Sequence, residues 1–120
     1  MNFQELYDAA HQVAHDAAQK MIPTPVAFQN SNLFDNKPTG EVFVLDEGAC
    51  GFAWIQFAGN TAWGKWAKKN NLAHSAYPTG LHIWVSDYGQ SMDRKEAYAR
   101  AFAEVLRLNG IKAYSNSRMD

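Results

Sequence analysis

The chain has 120 residues, 47% of them hydrophobic and 13% aromatic. It is sized for one domain, which buries roughly two thirds of the surface its unfolded chain exposes. A single cysteine, Cys50, cannot make an intrachain disulfide, which argues against a small secreted disulfide scaffold. No apolar run approaches the roughly 20 residues of a membrane span, and Met1 to Glu5 lack the basic flank and apolar stretch of a signal peptide. A formal charge of −1 supplies no global basic field for nucleic acid or anionic lipid. The expectation is a cytoplasmic protein with no membrane association, no general nucleic-acid binding and no cofactor.

The first element reads as a helix. Asn2 and Glu5 have the spacing of a capping box, and Phe3, Leu6, Tyr7, Ala10, Val13, Ala14, Ala17 and Met21 recur at helical intervals. Ile22-Pro23 stops it, because a residue before proline is pushed out of the helical region. Asp8, His11 and His15 fall on the polar face. Histidines at i and i+4 can ligate a metal, but no fourth ligand accompanies them, and a solvated face is the simpler reading.

Pro25 to Phe28 reads as a short edge strand, and Asn30 to Gly40 as a loop rich in Asn, Asp, Pro and Gly. Glu41–Asp46 and Ala49–Phe57 read as strands joined in a hairpin at Glu47-Gly48. Both are apolar on alternate positions of either parity, which predicts central strands covered on each face. Thr61 caps a second helix reaching about Asn70. Trp63, Trp66, Ala67 and Asn70 share one stripe of it, while Lys65, Lys68 and Lys69 lie away. That geometry assigns the tryptophans to the core rather than to a base-stacking platform. Pro78-Thr79-Gly80 is a turn, and Leu81–Ser86 alternates cleanly, with Leu81, Ile83 and Val85 on one face and His82, Trp84 and Ser86 on the other.

A third helix spans about Met92 to Asn109, capped by Ser91 or Asp93. Ala97, Tyr98, Ala101, Phe102, Val105 and Leu108 form its expected buried stripe, and Glu96, Arg100, Glu104 and Arg107 a charged outer ladder. Asn109-Gly110 ends it, Ile111–Ser115 closes the fold as a strand, and Asn116–Asp120 is a polar tail. The order is α-β-β-β-α-β-α-β. It predicts a single α+β domain over residues 1–120, with a mixed four- to five-stranded sheet and three helices. The helical crossover lets the strand at Trp84 and the closing strand run parallel in one sheet.

Catalytic signatures are sparse. No glycine-rich phosphate loop and no nucleophile elbow occur. Cys50 lies in an apolar strand, where a cysteine is ordinarily an inert small hydrophobe. The loop Asp87–Ser91 leads into a helix start that favours anions, with Arg94 and Lys95 in its first turn. Arg94 shares the stripe of Ala97, Ala101 and Val105, so it either pairs with a carboxylate or awaits a ligand. Trp84, Tyr88, Arg94, Lys95, Tyr114 and Arg118 form the candidate ligand or partner site, at strand ends where open sheets take ligands. No catalytic residue is assigned.

The segments Cys50–Trp54, Ile83–Ser86, Gln90-Ser91-Met92, Lys95–Ala99, Gly110–Tyr114 and Ser117–Asp120 resemble a family of small tailed-bacteriophage proteins of unassigned function, with a weaker likeness in the first helix. The resemblance implies a phage accessory protein acting in the bacterial cytoplasm, in host takeover or anti-defence. Two readings follow. One is a non-enzymatic binder that blocks a host bacterial protein or sequesters a small nucleotide signal. The alternative is a small hydrolase acting on a nucleotide or phosphoester through His82 or Cys50.

Overall fold

The computed structural model describes residues 2–22, 26–31, 38–45, 50–89 and 91–120, with the backbone alone described for 26–31 and 38–45. Asn2 caps helix α1 (Phe3–Lys20) by accepting the Glu5 backbone N–H at 2.8 Å, as half of the expected capping box. Leu6, Ala10, Ala14 and Ala18 are its buried stripe. Small residues at that interval let α1 lie close along a neighbouring helix. Strands β1 (Val26–Ser31) and β2 (Pro38–Leu45) form a two-stranded antiparallel sheet, Val26 opposite Leu45 and Phe28 opposite Phe43.

The second sheet holds β3 (Gly51–Phe57), β4 (His74–Ser75), β5 (Leu81–Trp84) and β6 (Ala113–Met119), in the order β4-β5-β3-β6. All its neighbours are antiparallel. Helices α2 (Ala62–Lys69) and α3 (Met92–Leu108) complete the chain. From β3 onward the order is β-α-β-β-α-β, with β3 and β5 central, which is a split βαβ arrangement. β5 and β6 run in the same direction, as the crossover implies, but β3 stands between them.

Several expectations are corrected. The sheet is antiparallel, not mixed, and carries an extra short strand, β4, between α2 and the turn at Pro78-Thr79-Gly80. β2 does not hairpin onto β3: it pairs with β1, and β3 has β5 on one side and β6 on the other. Turn chemistry proposes local pairing, but a central strand's two sides are claimed by whichever partners complete the sheet. Pro38–Gly40 belongs to β2 rather than to a loop, whereas residues 32–37 and 46–49 lie outside the described set. The polar stretch Asn116–Met119 is the second half of β6, because pairing with β3 orders a strand whose composition alone reads as tail.

The core lies between one face of this sheet and the helices. Ala53, Ile55 and Phe57 of β3, Leu81 and Ile83 of β5 and Ala113 of β6 meet Trp63 and Ala67 of α2 and Tyr98, Phe102 and Leu106 of α3. Phe3 of α1 sets its ring edge-on to Trp63, 5.7 Å between centroids. The lysines of α2 are exposed and its Trp63 is buried, in keeping with a packing role for that stripe. In α3 the buried set is Lys95, Tyr98, Ala99, Phe102, Ala103 and Leu106. It is rotated from the expected stripe: Ala97, Ala101 and Val105 are half-buried and Leu108 is exposed, since α3 must face α1 and the sheet together. Phe102 is fully buried, so Phe102→Ala is expected to lose about 3–5 kcal/mol in denaturant unfolding. A loss within experimental error would contradict this packing.

Candidate functional site

Alternation along β3 separates two kinds of surface. Gly51, Ala53, Ile55 and Phe57 point to the helices and are buried, while Phe52, Trp54 and Gln56 point away and are half-exposed. In β5, Leu81 and Ile83 point inward, and His82 and Trp84 outward. In β6 the outward set is Tyr114, Asn116 and Arg118, all exposed. The register places Trp84 opposite Trp54, His82 opposite Gln56, and on the other side Arg118 opposite Phe52, Asn116 opposite Trp54 and Tyr114 opposite Gln56. β3 is therefore central but covered by helices on one face only. No acidic residue occurs in β3, β5 or β6.

The outward side chains form one connected group. The Trp54 and Trp84 rings lie 5.1 Å apart, and Phe52 meets Trp84 edge-on at 5.6 Å. Trp84 remains 38% exposed and Tyr114 56%, so the group offers ring faces rather than a closed core. The Trp84 indole N–H donates to His82 Nε2 at 2.5 Å, which makes that nitrogen an acceptor and leaves the proton on Nδ1. Burial, then the neighbouring His74, lower the His82 pKa below the ordinary histidine value, in keeping with the neutral ring. Gln56 Oε1 accepts from Asn116 Nδ2 at 3.2 Å and from the Trp54 indole at 3.4 Å, placing amides beside the rings.

Phe52 stands near two cations. The Arg118 guanidinium lies 5.4 Å from its ring centre and the Lys95 ammonium 5.5 Å. Lys95 starts on the buried side of α3 and is almost wholly buried, and its Nζ donates to the Gly51 carbonyl at 3.2 Å. The bare Cα of Gly51 lets β6 and Met92 of α3 close in beside it: a Cβ there would come within 2.6 Å of both the Arg118 carbonyl and the Met92 Sδ.

The six expected site residues are thus divided. Trp84, Tyr114 and Arg118 share the open face, and Lys95 touches it through Phe52. Tyr88 and Arg94 do not join them. Arg94 donates to the Ala18 carbonyl of α1 at 3.2 Å, and the Tyr88 hydroxyl is hydrogen-bonded to His15 Nδ1 at 2.7 Å. Arg94 is a tie between α3 and α1, drawn there by the last turn of a neighbouring helix. His11 is no bare surface residue either: its Nδ1 is hydrogen-bonded to the Tyr98 hydroxyl at 2.6 Å. Among the described residues no three His, Cys, Asp or Glu side chains are grouped to hold a metal. Cys50, expected inside an apolar strand, precedes β3 and is exposed, its backbone bridged to Ser91.

Phe52, Trp54, Gln56 and Asn116 were not singled out by sequence, and His82 was named only for the hydrolase alternative. The signal was the change along β3 from small inner residues, Gly51 and Ala53, to large outer ones, Phe52 and Trp54. No helix of the described residues is long and apolar enough to cross a membrane. Comparison with family models, curated proteins and solved structures found no match to the chain.

The tyrosines under α1 yield a pH expectation. Burial raises the Tyr98 pKa well above the ordinary tyrosine range, with Tyr7, Tyr88 and Asp87 adding to it. Burial followed by nearby carboxylates also raises Tyr7 and Tyr88. Below about pH 10 these phenols are neutral in folded and unfolded chains alike. Above it the unfolded chain sheds protons that the folded one keeps, so stability should fall as pH rises. Chemical denaturation between neutral and strongly alkaline pH should show that decline, and Tyr98→Phe should make it shallower. An unchanged slope in the variant would contradict the assignment.

Proposed function

We propose that this protein is a non-enzymatic binder whose open sheet face takes nucleobases, from a free nucleotide or a short unpaired strand. The observation that carries the reading is the row Phe52, Trp54 and Trp84 on the two central strands, on the sheet face that no described helix covers, flanked by Tyr114 and Arg118. Ring faces stack on bases of any sequence, while the amides of Gln56 and Asn116 and the His82 ring offer hydrogen bonds to base edges. Arg118 is placed to meet a phosphate. With a net charge of −1 the affinity comes from stacking more than from phosphate neutralisation. Sequestration of a nucleotide signal, in the phage accessory role that the sequence resemblance implies, is the setting this reading favours.

The test is fluorescence anisotropy with a labelled unpaired oligonucleotide of about eight nucleotides, competed by nucleoside monophosphates. Trp54→Ala and Trp84→Ala should each weaken binding by about 5- to 100-fold, since a stacked base is worth about 1–3 kcal/mol. Raising salt from about 50 to 200 mM should cost less than about tenfold, as expected for one or two phosphate contacts. Ligand recovered after denaturation should be unaltered; an altered product would support the hydrolase alternative. If neither probe binds, the nucleobase reading fails, and a host protein becomes the partner to seek on the same face.

A further inference from the structure

β6 is an edge strand, and the direction of its backbone groups can be read from the hydrogen bonds around it. Asp120 donates its backbone N–H to the Cys50 carbonyl at 3.1 Å, and Val85 donates to Ala53 at 3.0 Å. In an antiparallel pair, residues that bond to the partner alternate with residues that turn away. The even-numbered residues of β3 therefore bond to β6 and the odd-numbered ones to β5. On β6, Tyr114, Asn116 and Arg118 direct their backbone groups to β3, and Ala113, Ser115, Ser117 and Met119 direct theirs outward. The Ala113 carbonyl accepts from the Arg107 guanidinium at 2.8 Å, as an outward carbonyl does.

Among the described residues that edge is blunted only lightly, by the charge of Arg118 and by the Arg107 guanidinium on the Ala113 carbonyl. Its seven residues keep one unbroken register with β3 and include no Pro, Gly or Lys. The opposite edge, β4, is protected by being two residues long. Two of the exposed large apolar side chains, Tyr114 and Met119, stand on β6.

We propose that β6 pairs antiparallel with β6 of a second copy, about a two-fold axis at Asn116. This is the register that brings all seven residues opposite one another, with the Ala113 carbonyl shared with Arg107, and the sequence is complementary to itself in it. Ala113 falls opposite Met119, Tyr114 opposite Arg118, Ser115 opposite Ser117, and Asn116 opposite its own counterpart. No like charges meet, and each Tyr114 ring faces an Arg118 guanidinium of the other copy on the open side. The two-fold is perpendicular to the sheet, so both open faces lie on one side and become a single aromatic surface. The pairing rests on the edge, not on what the face binds, and stands or falls separately from the nucleobase reading.

Sedimentation velocity across the micromolar range should show the parent in reversible monomer–dimer exchange. Ser115→Pro and Ser117→Pro each remove an outward N–H while leaving the β3 ladder whole, the second also removing the exposed Ser117 hydroxyl bond to Glu96. Each should keep the parent's circular dichroism and weaken the dimer by roughly tenfold, because one substitution removes two symmetry-related bonds. In a Cys50→Ser background, Asn116→Cys should oxidise to a disulfide-linked dimer, its facing Cβ atoms lying about 4.5–5.5 Å apart. Leu108→Cys, equally exposed on α3, should not. A parent that stays monomeric throughout, or equal cross-linking of both cysteines, would overturn the proposal.

Discussion

The packing of α3 against β3 is the contact on which the remaining structure depends. It works because Gly51 leaves room for Met92, and because Ala53 of β3 and Ala99 and Ala103 of α3 are small and fully buried. Small residues on one side bring helix and sheet together, and α1 is then laid along α3 by its own alanine stripe. With both long helices drawn to one face, the large alternate residues of β3 are left on the other. The aromatic face is thus a consequence of where the small residues sit.

Burying apolar surface drives folding, so rings left uncovered on the central strands call for an account of what they meet. The arrangement around Phe52 supplies part of one. Lys95 is fixed by the Gly51 carbonyl, and Arg118 reaches across from β6, so two cations lie within 5.5 Å of the ring centre. Positive charge is held next to an apolar stacking surface without any basic excess in the chain as a whole. That combination suits a small anionic aromatic ligand better than a long duplex, for which many dispersed cations are needed.

Much of the fold was legible in the sequence. The three helices, their caps at Asn2, Thr61 and Ser91, and the inner face of β5 follow from periodicity and capping chemistry, which are local. What was not legible is non-local. Which strand claims each side of β3 depends on residues about 24 to 68 positions away. The rotation of the α3 stripe depends on where α1 lies, and the second half of β6 is polar because its residues on both faces are exposed. The site was half legible for the same reason. Trp84, Tyr114 and Arg118 stand out by type, but their meeting with Phe52 and Trp54 is set by register. Arg94 and Tyr88 are chemically suited to a ligand and are held instead by α1.

The four tryptophans of the chain fall into two pairs, Trp54 and Trp84 on the open face and Trp63 and Trp66 against α1. Indole N–H resonances report on each separately. Titrating uniformly 15N-labelled protein with an unpaired oligonucleotide of about eight nucleotides should shift the Trp54 and Trp84 indole signals and leave those of Trp63 and Trp66 in place. Shifts confined to Trp63 and Trp66, or no shift at any of the four, would contradict the assignment of the open sheet face as the binding surface.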